Sequence, residues 1–331
     1  MDEPIRVALA LGGGGARGYA HIGVIQVLQE QGYEIVGISG CSMGALIGGL
    51  HAAGQLPAYT DWVSALTQRD VLRLLDPSLK ARGAIRGDKV MARVRDLLDG
   101  RRIEDLDVPF TAVATDLFNR KEVWFQQGPV DAAIRASIAL PSFIPPVMLN
   151  GRLLADGGLM NPIPITPLAA LHADATIAVF LAGEPEDHLG KAPVRESAEP
   201  RPVDEWRERF RRSAARVLDR ETTRRLAARF GSGRGSEGLG TVDLPLADVS
   251  EAAFGELPRD LGFFDVLELS LDVLQSVVNR YRLAGYPPDV LVTVPKNACR
   301  TLDFHRGAEM IELGRTLTEQ ALAGASLSRT E

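Results

Sequence analysis

Short apolar runs alternate with longer stretches of helical periodicity along this chain. Strand-like runs fall at residues 5–11, 35–39, 109–115, 175–182 and 289–294, with helical patterns between them. The alternation predicts a mostly parallel sheet covered on both faces, a three-layer α/β/α architecture. In such sheets ligands bind beyond the carboxyl ends of the strands. The pattern shifts at Gly183, and from there to about Gly240 the chain is rich in Arg, Glu, Pro and Gly. Within that stretch Val203–Phe230 predicts a helix. Trp206, Phe210, Ala214, Val217, Leu218, Leu226 and Phe230 recur at roughly helical spacing, and Arg207, Arg211, Arg212, Arg224 and Arg225 are among the residues of the other face. The run Gly231–Ser236 then reads as a break. Because strand and helix patterns resume over 260–322, residues 184–258 read as an Arg-rich, partly helical insertion. A core over 1–183 precedes it, and residues 259–331 complete that core.

One segment imitates a membrane span. Ile35–Gly54 contains no Asp, Glu, Lys or Arg, and Gly40, Gly44 and Gly48 repeat at the small-xxx-small spacing of membrane helix pairs. Its glycines are too dense for a spanning helix, and it divides naturally into strand, bend and helix. With 331 residues and 45% hydrophobic content, the chain is long enough for a sizeable core. A net charge of −6 argues against nucleic acid as a partner. Two cysteines, Cys41 and Cys299, predict no disulfide framework. The start Met1-Asp2-Glu3-Pro4 lacks the basic region of a secretory leader. These features predict a cytoplasmic protein, peripheral at most to the inner face of the membrane.

Two glycine loops carry the chemistry. Gly13-Gly14-Gly15-Ala16-Arg17-Gly18 follows the first strand-like run, and Gly40-Cys41-Ser42-Met43-Gly44 follows the second. The latter fits G-x-S-x-G, a nucleophile elbow that exposes one hydroxyl between a strand and a helix. Glycines at its ends permit backbone approach where a Cβ would clash. The first loop offers clustered N–H groups at a helix N-terminus, where negative charge is stabilised. An activated serine beside an anion hole predicts a serine hydrolase. Ser42 is the candidate nucleophile. The N–H groups of Gly13, Gly14, Gly15 and Met43 are the candidate oxyanion donors. Arg17 steadies the loop or meets a negative substrate head, or is a surface arginine at a helix start, and Gly18 lets the next helix pack closely. The spacing Gly13-x-Gly15-x-x-Gly18 also fits a dinucleotide fingerprint, but that motif wants an acid at the end of the second strand, and Ser39-Gly40-Cys41-Ser42 has none.

These loops resemble the anion-hole and nucleophile motifs of bacterial patatin-like phospholipases, in the group related to neuropathy target esterase. Asp156-Gly157-Gly158 resembles that family's aspartate motif, and Ala136–Pro145 its proline-bearing segment. Pro288–Pro295 and Asp303–Glu309 resemble its last strand and helix. The resemblance covers roughly residues 5–183 and 260–322. It implies a Ser42–Asp156 dyad with the aspartate as direct base, supported by Gly157 and Gly158, acting on acyl esters of lipids or similar amphiphiles, phospholipids and lysophospholipids among them. No metal or organic cofactor is implied. Peripheral membrane contact is left open, and so is the oligomeric state. On its own Asp156-Gly157 reads as a surface turn; beside the elbow it reads as the base. Two alternatives remain: a triad esterase using His172, His188 or His305, and a catalytically silent binding module of the same fold. For Val203–Phe230, packing of the apolar stripe competes with docking on anionic lipid.

Overall fold

The structure is a computed structural model and describes residues 3–75, 87–141, 143–183, 263–325 and 327. The expected insertion over 184–258, its helix Val203–Phe230 and His188 lie outside the described residues. The elements run β1 (Arg6–Leu11), α1 (Ala20–Glu30), β2 (Glu34–Cys41), α2 (Met43–Ala52), α3 (Leu56–Ser64), α4 (Gln68–Leu75), α5 (Asp88–Leu98), β3 (Phe110–Asp116), β4 (Lys121–Phe125), α6 (Val130–Ser137), β5 (Val147–Leu149), β6 (Arg152–Asp156), β7 (Ala175–Gly183), α7 (Phe263–Gly285), β8 (Val290–Pro295) and α8 (Gly307–Ala323). Residues Met1–Leu189 and Leu267–Glu331 make one compact unit, and Gly190–Val266 a second, of which only the start of α7 is described.

The sheet has the order β5-β6-β3-β2-β1-β7-β8, with β4 also paired to β3. Strands β3, β2, β1, β7 and β8 are parallel. β4 and β6 pair antiparallel with β3, and β5 antiparallel with β6. β1 shows why a continuous apolar run becomes a central strand: alternate side chains enter opposite layers. Val7, Leu9 and Leu11 join a large cluster with residues of α1, α2 and α8. Ala8 and Ala10 face the other side, where Ile163, Ile165 and Leu168 cover them and Leu283 of α7 packs against that cluster. The architecture is three-layer α/β/α.

Among the described residues no helix is long and apolar enough to cross a membrane. The uncharged stretch from Ile35 divides into β2, a bend at Ser42 and α2. α2 is apolar on every side because it is buried on nearly every side. The antiparallel strands β4, β5 and β6 are absent from the apolar pattern of the sequence. Two of them are short and half-exposed, so no long apolar run marks them.

Candidate active site

β2 ends at Cys41 and α2 begins at Met43, so one residue makes the whole bend. Ser42 holds φ 54° and ψ −120°, a backbone shape that costs a non-glycine residue about 1–3 kcal/mol. Close packing enforces it. A Cβ on Gly44 would lie 2.0 Å from the Leu11 carbonyl oxygen, and one on Gly40 would lie 2.4 Å from the Gly44 carbonyl oxygen. The bend is also pinned from α6: the Ser42 N–H donates to Ser137 Oγ at 2.9 Å, and the Ser137 hydroxyl donates to the Val113 carbonyl at 2.6 Å. The Ser42 side chain is left partly exposed.

The first glycine loop lies directly against this serine. A Cβ on Gly13 would stand 3.3 Å from Ser42 Cβ. The loop's N–H groups divide into two sets. Gly12 donates to the Val179 carbonyl at 3.1 Å, Gly13 to Pro162 at 2.9 Å and Ala16 to Thr301 at 2.9 Å. Gly13 therefore does not fit the expected role of oxyanion donor, because its N–H is already occupied. The N–H groups of Gly14 and Gly15 have no hydrogen-bond partner among the described residues. Met43 stands in the first turn of α2, where an N–H has no intrahelical acceptor. Arg17 is buried, and its guanidinium donates to the carbonyls of Lys296 at 3.0 Å and Cys299 at 3.3 Å. It ties the loop to the segment after β8. A Cβ on Gly18 would lie 2.3 Å from Met43 Cβ, so the two loops touch there. His21 is buried and donates from Nε2 to the Gly12 carbonyl at 2.8 Å. Burial lowers its pKa to about 4, and it stays neutral as a support for the loop.

Asp156 closes β6 and caps the short helical turn Gly157–Leu159. Its carboxylate is buried and its two oxygens differ. Oδ1 accepts from the Gly158 N–H at 2.8 Å and from the Cys41 thiol at 3.6 Å. Oδ2 makes no hydrogen bond of ordinary geometry, yet the Ser42 hydroxyl is near enough to favour the charged carboxylate. Burial pushes the Asp156 pKa up to about 6, opposed by the Ser42 hydroxyl, the Gly158 N–H and the Cys41 thiol. Gly157 is needed because a Cβ there would lie 2.3 Å from the Val113 carbonyl oxygen. Burial raises the Cys41 thiol, and Asp156 raises it further, which leaves the thiol an unreactive neutral donor. None of the groups that set the Asp156 pKa is a histidine.

A brace behind this turn has no signature in the sequence. Glu122 of β4 pairs with Arg282 of α7. Arg282 also donates to the Met160 carbonyl at 3.2 Å, and the Asn161 amide donates to Glu122 at 3.0 Å. Ser137 likewise has no signature of its own within the Ala136–Pro145 segment. On the open side of Ser42, an apolar cavity of about 110 Å³ runs between α2, α3, α4 and the segment after α6. Gly15, Ser42 and Met43 stand at it with Leu46, Trp62, Leu66 and Phe143.

The sequence profile described as patatin-like phospholipase matches residues 9–169. An NTE family protein of Mycobacterium tuberculosis, itself described as uncharacterised, is 49% identical over 98% of this chain and 94% of its own length. Patatin-like phospholipase domain-containing protein 6 of Homo sapiens is 31% identical over 55% of this chain, a match that spans 14% of that far longer protein. A lysophospholipase of Cryptococcus neoformans is 33% identical over 49% of this chain and 10% of its own. In fold the chain is similar to VipD from Legionella pneumophila, at TM-score 0.50 and 15% identity over 98% of this chain and 67% of that one.

Proposed function

This chain belongs to the patatin-like phospholipase family, and we propose that within it the chain is a serine acyl hydrolase of lipid esters, phospholipid or lysophospholipid, working through a Ser42–Asp156 dyad. The observation that carries the reading is the pairing of a strained, partly exposed serine with a buried carboxylate that keeps one oxygen unbonded and a pKa of about 6. A base poised near the working pH is what general-base catalysis needs.

Asp156 Oδ2 takes the Ser42 hydroxyl proton as Oγ attacks the ester carbonyl carbon. The carbonyl π electrons move onto oxygen, and the oxyanion accepts from the N–H groups of Gly14, Gly15 and Met43. Each such donor is typically worth about 10²–10³ in rate. Collapse breaks the C–O bond, and the leaving alcohol takes the proton from Asp156. Water then attacks the acyl-serine, giving one proton to Asp156; the acyl C–Oγ bond breaks, Ser42 Oγ takes that proton back from Asp156, and the fatty acid leaves with both residues restored. The acyl chain lies in the cavity beside Met43 and Leu66, where burial of each methylene contributes about 0.8 kcal/mol.

Ser42→Ala tests the assignment on a panel of nitrophenyl and lysophospholipid esters of increasing chain length. The folded variant is expected to hydrolyse none of them. Retained turnover would remove Ser42 from the reaction.

A further inference from the structure

Cys41 stands immediately before the candidate nucleophile, and its side chain is fully enclosed. The sulphur sits where the glycine loop and the aspartate turn meet. A Cβ on Gly157 would lie 3.1 Å from it, one on Gly13 3.6 Å and one on Gly158 3.8 Å. From this place the thiol donates to Asp156 Oδ1 at 3.6 Å. Oδ1 therefore takes donors from two elements, the Gly158 N–H of the aspartate's own turn at 2.8 Å and the Cys41 S–H at the end of β2. The second donor matters because the last torsion of an aspartate is broad and roughly two-fold. One donor would fix one oxygen and let the carboxylate plane swing about it. Two donors from different directions fix the plane, and Oδ2 is then left buried and unbonded.

We propose that Cys41 is a positioning residue for the base: its thiol holds Asp156 Oδ1 and so leaves Oδ2 alone to take the Ser42 proton. The inference rests on the dyad reading above. Sulphur suits the task. A hydroxyl would make a short, strong bond to a carboxylate and stabilise its charge, which weakens a base. A thiol is a weak donor, so it orients the carboxylate and leaves it basic. Burial and the nearby Asp156 hold the thiol above its ordinary pKa, so it keeps its proton at neutral pH and remains a donor. Other elements around the carboxylate supply no substitute. Thr115 of β3 donates at 3.0 Å to the Asp156 backbone carbonyl and not to its side chain. α7 brings the neutral Gln275 amide against Gly158, and Glu122 of β4 is paired with Arg282. Among the described residues, Ser42 and Cys41 are the side chains whose hydrogen bonds favour the ionised carboxylate.

The test follows the rate of fluorophosphonate adduct formation on Ser42 against pH, in the full chain, for wild type, Cys41→Ala and Cys41→Val. Alanine removes the donor and leaves space. Valine removes the donor and fills the space, at a strand position that suits a β-branched side chain. The two variants should behave alike. The acid limb, near pH 6 in wild type, should move up by roughly half a pH unit in each, because the ionised carboxylate has lost a donor. Above the limb the rate should fall about fivefold or more, because a carboxylate free to swing is misplaced for part of the time. With a soluble short-chain ester the loss should appear in kcat, with KM little changed. If valine does not fold, the alanine limb decides alone. A limb that stays at its wild-type pH in folded Cys41→Ala would overturn the proposal. So would a Cys41→Val that recovers both the wild-type limb and the wild-type rate, since packing would then be the whole role of Cys41. The dyad survives either result. A wild-type rate with no acid limb would sink the dyad reading, and this inference with it.

Discussion

Burial raises the Asp156 carboxyl from 3.8 to about 6, and this one group links activity to stability. The carboxylate must be ionised to take the Ser42 proton, so kcat/KM should fall as pH drops through about 6. The stability effect has the opposite sense. With its folded pKa raised, Asp156 binds more proton in the folded state between about pH 4 and pH 6, so stability falls as pH rises through that window. The cost is complete above it and amounts to about 3 kcal/mol, taking 1.36 kcal/mol per pKa unit. Asp156→Asn keeps an acceptor for the Gly158 N–H and removes the buried charge. It should lose roughly 10³-fold or more in kcat, in the range of general-base effects. It should also gain about 2–3 kcal/mol in urea unfolding at pH 8 and almost nothing below pH 4. A variant less stable than wild type at pH 8 would show that the carboxylate is not held at a raised pKa.

The elbow is a joint between elements, and Ser137 is its pin. It accepts from the Ser42 N–H and donates to Val113, joining β2, α6 and β3. Ser137→Ala would leave a donor and an acceptor unpaired in a confined space, at a cost of about 1–3 kcal/mol. Denaturant unfolding should report that loss, and steady-state kinetics should report a lower kcat with a smaller change in KM, because a looser elbow misplaces Oγ. Unchanged kcat in a folded variant would reduce Ser137 to a stability role. Such joints explain which parts of the site could be read beforehand. The strand–glycine–helix signatures around Gly13 and Ser42 are local, so their spacing is visible in the chain. Ser137 and Ser42 are 95 residues apart, and Glu122 and Arg282 are 160 apart. No periodicity announces such pairs. The sequence likewise offers three adjacent N–H groups at Gly13–Gly15, but only the fold reveals that Pro162 occupies the first.

At the scale of the molecule, the parallel centre of the sheet was legible because buried strands are continuous apolar runs. The antiparallel end was not, because β4 and β5 are short and half-exposed. That end matters to the site. Antiparallel pairing of β6 with β3 sets Asp156 opposite Ala114, so the aspartate arrives from a direction that parallel topology alone would not give. The cavity between α2, α3 and α4 gives the molecule its expected chain preference. Leu66 lines it while only partly buried, so Leu66→Trp should fill it with little cost to folding. The ratio of kcat/KM for long over short acyl esters should fall roughly tenfold, the size of discrimination that a few methylenes in an apolar pocket allow. An unaltered ratio would place the acyl chain elsewhere. The central claim, a serine activated directly by an aspartate, is tested most directly by the rate at which a fluorophosphonate forms an adduct on Ser42, followed by mass spectrometry in wild type and Asp156→Asn. The predicted result is an adduct at Ser42 alone in wild type, and a rate roughly 10³-fold lower in the variant. An adduct on another residue, or a Ser42 that reacts at the wild-type rate without Asp156, would contradict the dyad.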